Sequence, residues 1–325
     1  MDFKISAEHD GKSVLTYLKS VARISSGSIS QLKKIPMGIT VNNSHVTVRY
    51  VLKLDDLLSV KIEDGEDNVS ENIVPVDLPV GIVYEDEHIM AVNKPPFMPT
   101  HPSHKHFYDT LGNAVAHIYK ERGLPFVFRP LGRLDANTSG LVVLSKSRAV
   151  ASFYFEEAQQ KRIIKHYIAI LDGEMDIPTY AECGKVYTIE KPIKRCADSI
   201  ITREVSNDAD ALPAKTVFRI LYTGNGISIV DASPITGRTH QLRVHFSSIG
   251  LPLVNDVFYG NNTDGDDRHL LHAVSLNLKS PFSDENMLLF ADPPDDIADF
   301  VKNKTGKTLK DIIEKYDFSI DLSKI

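Results

Sequence analysis

The chain has 325 residues, 42% hydrophobic and 25% charged, with a formal net charge of −6, an ordinary globular balance with enough apolar content for one large domain plus a small one. Two cysteines, Cys183 and Cys196, exclude a disulfide framework and a cysteine-ligated zinc pattern. The start "MDFKISAEHDGK" lacks an apolar signal core and no run reaches membrane-spanning length, so a cytoplasmic protein without a membrane partner is expected.

Residues 1–64 read as a small unit. "GKSVLTYLKSVA" places Val14, Leu15, Leu18 and Val21 on one helical face, and "SSGSISQLKKI" has serine caps before a second, short helix. "GITVNN" and "HVTVRYVLKLDDLLSVKIED" then alternate as strands about a turn at Asn42–Asn43. This order of elements resembles the S4-like RNA-binding domain, and the resemblance puts Lys33 and Lys34 on the helix that faces RNA. A folding or oligomerisation domain is the alternative. The acidic stretch 65–78 has linker composition.

From residue 79 onward, strands are expected at 82–84, 89–93, 141–145, 166–171, 215–222, 227–232 and 239–245, and helices around 109–121, 147–160 and 239–248. The last segment carries two incompatible expectations. Sheet-rich segments with irregularly placed helices predict an α+β fold with a mixed, mostly antiparallel sheet. The tail after residue 292 is expected to be helical, with no chemistry assigned to it.

Charge is unevenly spread: acids crowd 63–72 and 264–267, while Arg129, Arg133, Arg148, Lys161, Arg162 and Lys165 populate the middle. A net negative charge therefore still allows a local basic cleft; solvated surface lysines are the plainer reading. The stretch 264–267 has no assigned role.

Three segments carry chemistry. In "LGRLDANTSGLVVLSK" (131–146), Asp135 stands at a tight turn whose following "LVVL" anchors it in the core. In "KRIIKHYIAILDG" (161–173), a basic edge leads into a strand carrying Tyr167, either a core tyrosine or a face on which a nucleobase stacks. In "DASPITGRTHQLRVHFSSIGLPLVNDVFYG" (231–260), Arg238, His240, Arg243 and His245 crowd together. A metal held by His240, His245, His269 and His272 is disfavoured by their spacing; guanidinium groups pairing a carboxylate or a phosphate fit better. "GKS" at 11–13 lacks the upstream glycine of a phosphate loop, so no nucleotide cofactor is expected.

Together these segments resemble the RluA-type family of RNA pseudouridine synthases: "RLDANTSGLVVLSK" its aspartate motif, "KHYIAILDG" its tyrosine strand, "PITGRTHQLRVH" its arginine motif. "VYEDEHIMAVNKPPFMPTHP", "PAKTVFRIL" and "LLHA" follow the same order, over roughly residues 80 to 282. Gly132 departs from the pattern, standing where the family has histidine. The resemblance implies a pseudouridine synthase domain over 79–325, isomerising uridine within RNA without metal or cofactor. Asp135 would be the catalytic carboxylate, ionised beside Arg243, and Tyr167 would pack on the uracil. Arg133 would enter the space left by the extruded uridine, with Lys165, Arg238 and His240 as further RNA contacts. Large-subunit ribosomal RNA is the leading target and transfer RNA the second, with a monomer expected. A non-catalytic RNA-binding or ribosome-assembly protein and a nucleoside or glycoside hydrolase are the alternatives.

Overall fold

The computed structural model describes residues 2–22, 24, 26–61, 70, 72–175, 185–260, 268–281, 283, 285–318 and 321–324. The acidic stretch 264–267, most of 63–72 and Cys183 lie outside the described residues. The N-terminal unit contains β1 (Asp2–Lys4), α1 (Val14–Ser20), α2 (Ser26–Leu32), β2 (Ile39–Val41), β3 (Ser44–His45) and β4 (Leu57–Val60), with sheet order β1-β4-β2-β3. Ser13 caps α1 by accepting the Thr16 amide. Val14 and Leu18 are fully buried, and Leu15 and Val21 pack beside them in a core drawn only from residues 3–60. Lys33 and Lys34 are not within a helix: α2 ends at Leu32, and both lie exposed in the turn that follows. Of the expected linker, Ile73 and Leu78 pack on the larger body, and the Val76 amide donates to Asn113 O at 3.2 Å.

The larger body is built on β5 (Gly81–Glu85), β6 (Ile89–Lys94), α3 (Leu111–Glu121), β7 (Ser139–Ser145), α4 (Arg148–Gln159), β8 (Ile164–Asp172), β9 (Val186–Glu190), β10 (Ile193–Arg195), β11 (Arg203–Val205), β12 (Lys215–Gly224), β13 (Ile227–Pro234), α5 (Gln241–Ser247), β14 (Leu271–Lys279), β15 (Asn286–Phe290), α6 (Asp295–Thr305) and α7 (Leu309–Ile313). Its main sheet runs β5-β6-β7-β14-β8-β13-β12-β9, with β15 on β14. Among the described pairings of this sheet only β7–β14 is parallel, so the architecture is α+β with a mixed, mostly antiparallel sheet.

Helices cover both faces, which explains the nearly continuous apolar strands. Alternate residues of one strand separate cleanly: Ile89 and Ala91 pack with Val150 and Phe153 of α4, whereas Met90 and Val92 pack with Leu111 and Val115 of α3. Likewise Ile168 and Ile170 meet Ile297 and Val301 of α6, and Ala169 and Leu171 meet Leu242 and Phe246 of α5. Segment 239–248 is therefore a helix, because Leu242 and Phe246, four apart, share the face that meets the sheet. Tyr167 touches the cores of both α3 and α5, so these helices flank the sheet centre on one face.

The expected strands omitted β14, which lies between β7 and β8. The close approach of β7 to it depends on Gly140, at φ +115°, where a Cβ would lie 2.6 Å from Ala273 N. Backbone cannot yield as a side-chain tip can. Gly140→Ala is expected to cost about 3 kcal/mol, read as a lower urea midpoint with an unchanged slope; a midpoint equal to the parent's would refute this.

Candidate active site

Asp135 sits in the loop entering β7, and five residues around it are each fastened by a different side chain. The Thr100 hydroxyl donates to Leu134 O at 2.9 Å and accepts the Leu134 amide at 3.2 Å. Lys94 Nζ donates to Ala136 O at 3.0 Å, and also to Pro95 O and Met98 O at 2.9 and 2.8 Å. Arg268 Nη1 donates to Asn137 O at 3.0 Å while its other nitrogens bind Asp296 at 2.7 and 2.9 Å. Thr138 Oγ1 meets His269 Nε2, and Ser139 Oγ meets His272 Nδ1, each at 2.9 Å. The Asp135 side chain, 32% exposed, is left facing a cleft of about 330 Å³.

Opposite stands Arg243, on α5 and 4% exposed. Its Nε and Nη2 donate to the two oxygens of Asp256 at 2.8 and 2.7 Å, and Phe258 and Tyr259 hold its guanidinium at 5.4 and 5.0 Å from their ring centroids. The third nitrogen, Nη1, lies 3.6 Å from Asp135 Oδ2: an ion pair, but beyond hydrogen-bonding distance. Arg243 is thus bonded first to Asp256 and only turned toward Asp135. Burial pushes the Asp256 carboxyl up, but the Arg243 bonds outweigh it and hold the group below the ordinary range.

His240, at the N-terminus of α5, is 3.8 Å from Asp135 through Nε2. The Tyr259 hydroxyl accepts the Arg203 amide at 2.9 Å and meets His240 Nδ1 at 2.8 Å, which holds the ring with its Nε2 edge toward Asp135. Tyr167 comes from β8, and burial, with the Asp135 charge second, raises its hydroxyl pKa, keeping it neutral. Arg133, Lys165 and Arg238 line the same cleft, Arg238 with its Nε on Pro213 O at 3.0 Å. Lys33 and Lys34 belong to the N-terminal unit and do not line it.

The structure joins Asp135, Tyr167, Arg243, Arg133, Lys165, Arg238 and His240 around one cleft. Sequence reading missed Lys94, Asp256, Arg268 and Asp296. Two signals were present: a lysine between an apolar strand and two prolines in "AVNKPP", and a lone acid in the apolar run "PLVNDVF". The four histidines weighed as metal ligands are engaged separately. His245 bridges Thr216 Oγ1 at 2.9 Å and Lys191 O at 3.0 Å, His272 bonds Ser139 and Ala291 O, His269 bonds Thr138, and His240 bonds Tyr259. Among the described residues no three potential ligands converge.

The model of the family described as RNA pseudouridylate synthase matches residues 88–248, which include Asp135, Tyr167 and Arg243. An uncharacterized RNA pseudouridine synthase of Bacillus subtilis, YjbO, is 35% identical, covering 82% of this chain and 90% of its own. The chain belongs to the RluA-type RNA pseudouridine synthases. It is an isomerase that converts uridine to pseudouridine in RNA. Ribosomal large subunit pseudouridine synthase D of Zymomonas mobilis is 31% identical to this synthase, over 69% of this chain and 72% of that one. A mitochondrial tRNA pseudouridine(32) synthase of Saccharomyces cerevisiae shares 31%, over 69% of this chain and 45% of its own. The solved human RNA pseudouridylate synthase domain containing 1 aligns with a TM-score of 0.56 at 26% identity, covering 73% of this synthase and 94% of that chain. Among the described residues no helix is long and apolar enough to cross a membrane.

The histidines fastening the Asp135 loop make the synthase sensitive to acid. Burial, above all, pushes the His272 pKa down to about 4 and the His269 pKa down to about 3. His272 Nε2–H donates to Ala291 O, so its neutral Nδ1 accepts the Ser139 hydroxyl proton. In the unfolded chain both rings protonate near pH 6.5. Between pH 6.5 and these folded values the unfolded chain binds more protons, so stability is lost as pH falls through that window. The expected slope is about 1.4 kcal/mol per pH unit for each ring, read from urea midpoints between pH 6.5 and 4. His272→Asn should lose about half of that slope; the same slope in the variant would contradict the assignment.

Proposed function

We propose that this synthase acts on large-subunit ribosomal RNA, with Asp135 as its catalytic carboxylate. The observation that carries the reading is the half-exposed Asp135 at the cleft wall, on a loop fastened from five sides, with Tyr167 and the cation of Arg243 beside it. In this reading the uridine leaves its stack and enters the cleft; such flipping costs a few kcal/mol, least where the base is unpaired. Tyr167 packs on the uracil, Asp135 acts on the sugar, and the bond between C1′ and N1 breaks. The uracil turns, C5 bonds to C1′, C5 loses its proton and N1 gains one, so composition is unchanged. Arg133, exposed at the rim, enters the vacated stack, and Lys165, Arg238 and His240 contact the RNA. Asp321 also lines the cleft but is turned to Lys324, so Asp135 acts in this reading without a second acid to activate water, which favours recapture of the base over hydrolysis. Ribosomal RNA is favoured by the synthase D relative; the mitochondrial relative makes transfer RNA the alternative. Residues 1–64 act in this reading as an S4-like RNA-binding unit: two short helices against a small sheet with its own core, with Lys33 and Lys34 at the end of α2.

The full chain should release tritium from uracil C5 of its target transcript with no change in RNA mass and no free base. Asp135→Asn should lower that rate about a thousandfold or more; full activity in the variant would end the assignment. Pseudouridine maps of cells with and without the gene decide the target: lost sites in large-subunit RNA support the proposal, and losses confined to transfer RNA overturn it. Deleting residues 1–64 should weaken RNA binding by about a hundredfold while the single-turnover rate at saturating RNA stays near that of the full chain. Unchanged affinity would remove the RNA-binding role of the unit.

A further inference from the structure

Buried cations near Asp135 are nearly all committed. Arg243 is bonded to Asp256, Arg268 to Asp296, and each of the three protons of Lys94 to a carbonyl. Lys165 differs. It stands two residues before Tyr167 on β8, so both side chains leave the same face of the strand, and both line the cleft. His166 between them points to the opposite face, where it meets Asp231 at 2.8 Å. Among the described residues nothing accepts a hydrogen bond from Lys165 Nζ. The residue is half-buried at the cleft wall, and burial lowers its pKa. An ammonium with no protein acceptor for its three donors is left to an anion entering the cleft. Asp321, which also lines the cleft, is turned to Lys324 at 3.3 Å.

The place of this ammonium depends on Gly132. A Cβ built there would lie 3.2 Å from Lys165 Nζ, with no other atom within 4 Å beyond its chain neighbours. The missing side chain at 132 is the space the ammonium uses, one residue from the exposed Arg133. Lys161 and Arg238 line the same cleft.

We propose that Lys165, admitted by Gly132, binds a phosphate oxygen of the RNA strand at the flipped uridine. The inference rests on the reading of the cleft as the uridine site. With the base on Tyr167 and the sugar at Asp135, the phosphodiester is the remaining charged part of the nucleotide. Lys165 is the half-buried cation without a protein acceptor that is left to meet it, and a phosphate supplies the anionic acceptor its donors lack.

The test uses full-length protein and a transcript of the target RNA, with affinity measured across a salt series and single-turnover rates measured at saturation. Lys165→Met is expected to bind about tenfold more weakly at low salt and to lose about 0.7–0.9 from the slope of log affinity against log salt, the share of one phosphate contact. Its urea midpoint should be no lower, since no hydrogen bond or ion pair within the protein is lost. Lys165→Arg should keep the slope, and Gly132→Ala, whose methyl meets only Nζ, should weaken binding. A parental salt slope in Lys165→Met overturns the proposal; if the saturated rate falls as well, the lysine acts on the detached uracil instead. Failure of the parent to form pseudouridine in any RNA would defeat the uridine reading, whereas the salt slopes judge the phosphate contact independently.

Discussion

The site depends on how residues 134–139 are held. For the role proposed for Asp135, a carboxylate must sit in a fixed place while staying open to a large substrate. An exposed loop would ordinarily be mobile. Here Thr100, Lys94, Arg268, His269 and His272 each take one neighbour of Asp135, so backbone and hydroxyl groups are bonded to buried partners and the carboxylate stands over the cleft. Rigidity comes from the flanks, and access is kept at the centre.

Those fasteners are polar groups buried at a cost, and each is satisfied in turn. Lys94 meets three carbonyls, Arg268 meets Asp296 from α6, and Arg243 meets Asp256 between two aromatic rings. Removing either member of the Arg243–Asp256 pair, both of them buried, leaves an uncompensated charge in the interior, a loss of about 3–5 kcal/mol. Helix α6 is therefore part of the framework that holds the Asp135 loop. Ile297 and Val301 close one face of the sheet, and Asp296 orients the arginine that grips Asn137. The sequence reading saw a helix there but no chemistry, because the partner of Asp296 lies 28 residues away in the chain.

Strands β6, β7, β8, β12 and β13 were legible because burial on both faces leaves continuous apolar runs. Strand β14 was not, although it lies at the sheet centre. In "LHAVSLNLK" His272 and Ser275 interrupt the run, and polar residues in a buried strand look like a surface pattern until their partners are known. The three-residue strands β10 and β11 escaped for lack of length. The ambiguity at 239–248 was real: Leu242, Val244 and Phe246 alternate as a strand would, and only the packing of Leu242 and Phe246 on Phe218 and Val230 selects the helix.

What the sequence determined by itself was chemical identity and order: Asp135 at a turn before a buried strand, Tyr167 after a basic edge, and a histidine- and arginine-rich segment further on. Those features follow from local residue types and short-range periodicity. Tertiary structure alone decided the partners. It gave Arg243 to Asp256 before Asp135, Lys94 to the carbonyl next to the carboxylate, and the space above Gly132 to Lys165. The reason is physical: a bond between groups brought together by sheet topology leaves no periodic trace, because its energy depends on distance in space and not on separation along the chain.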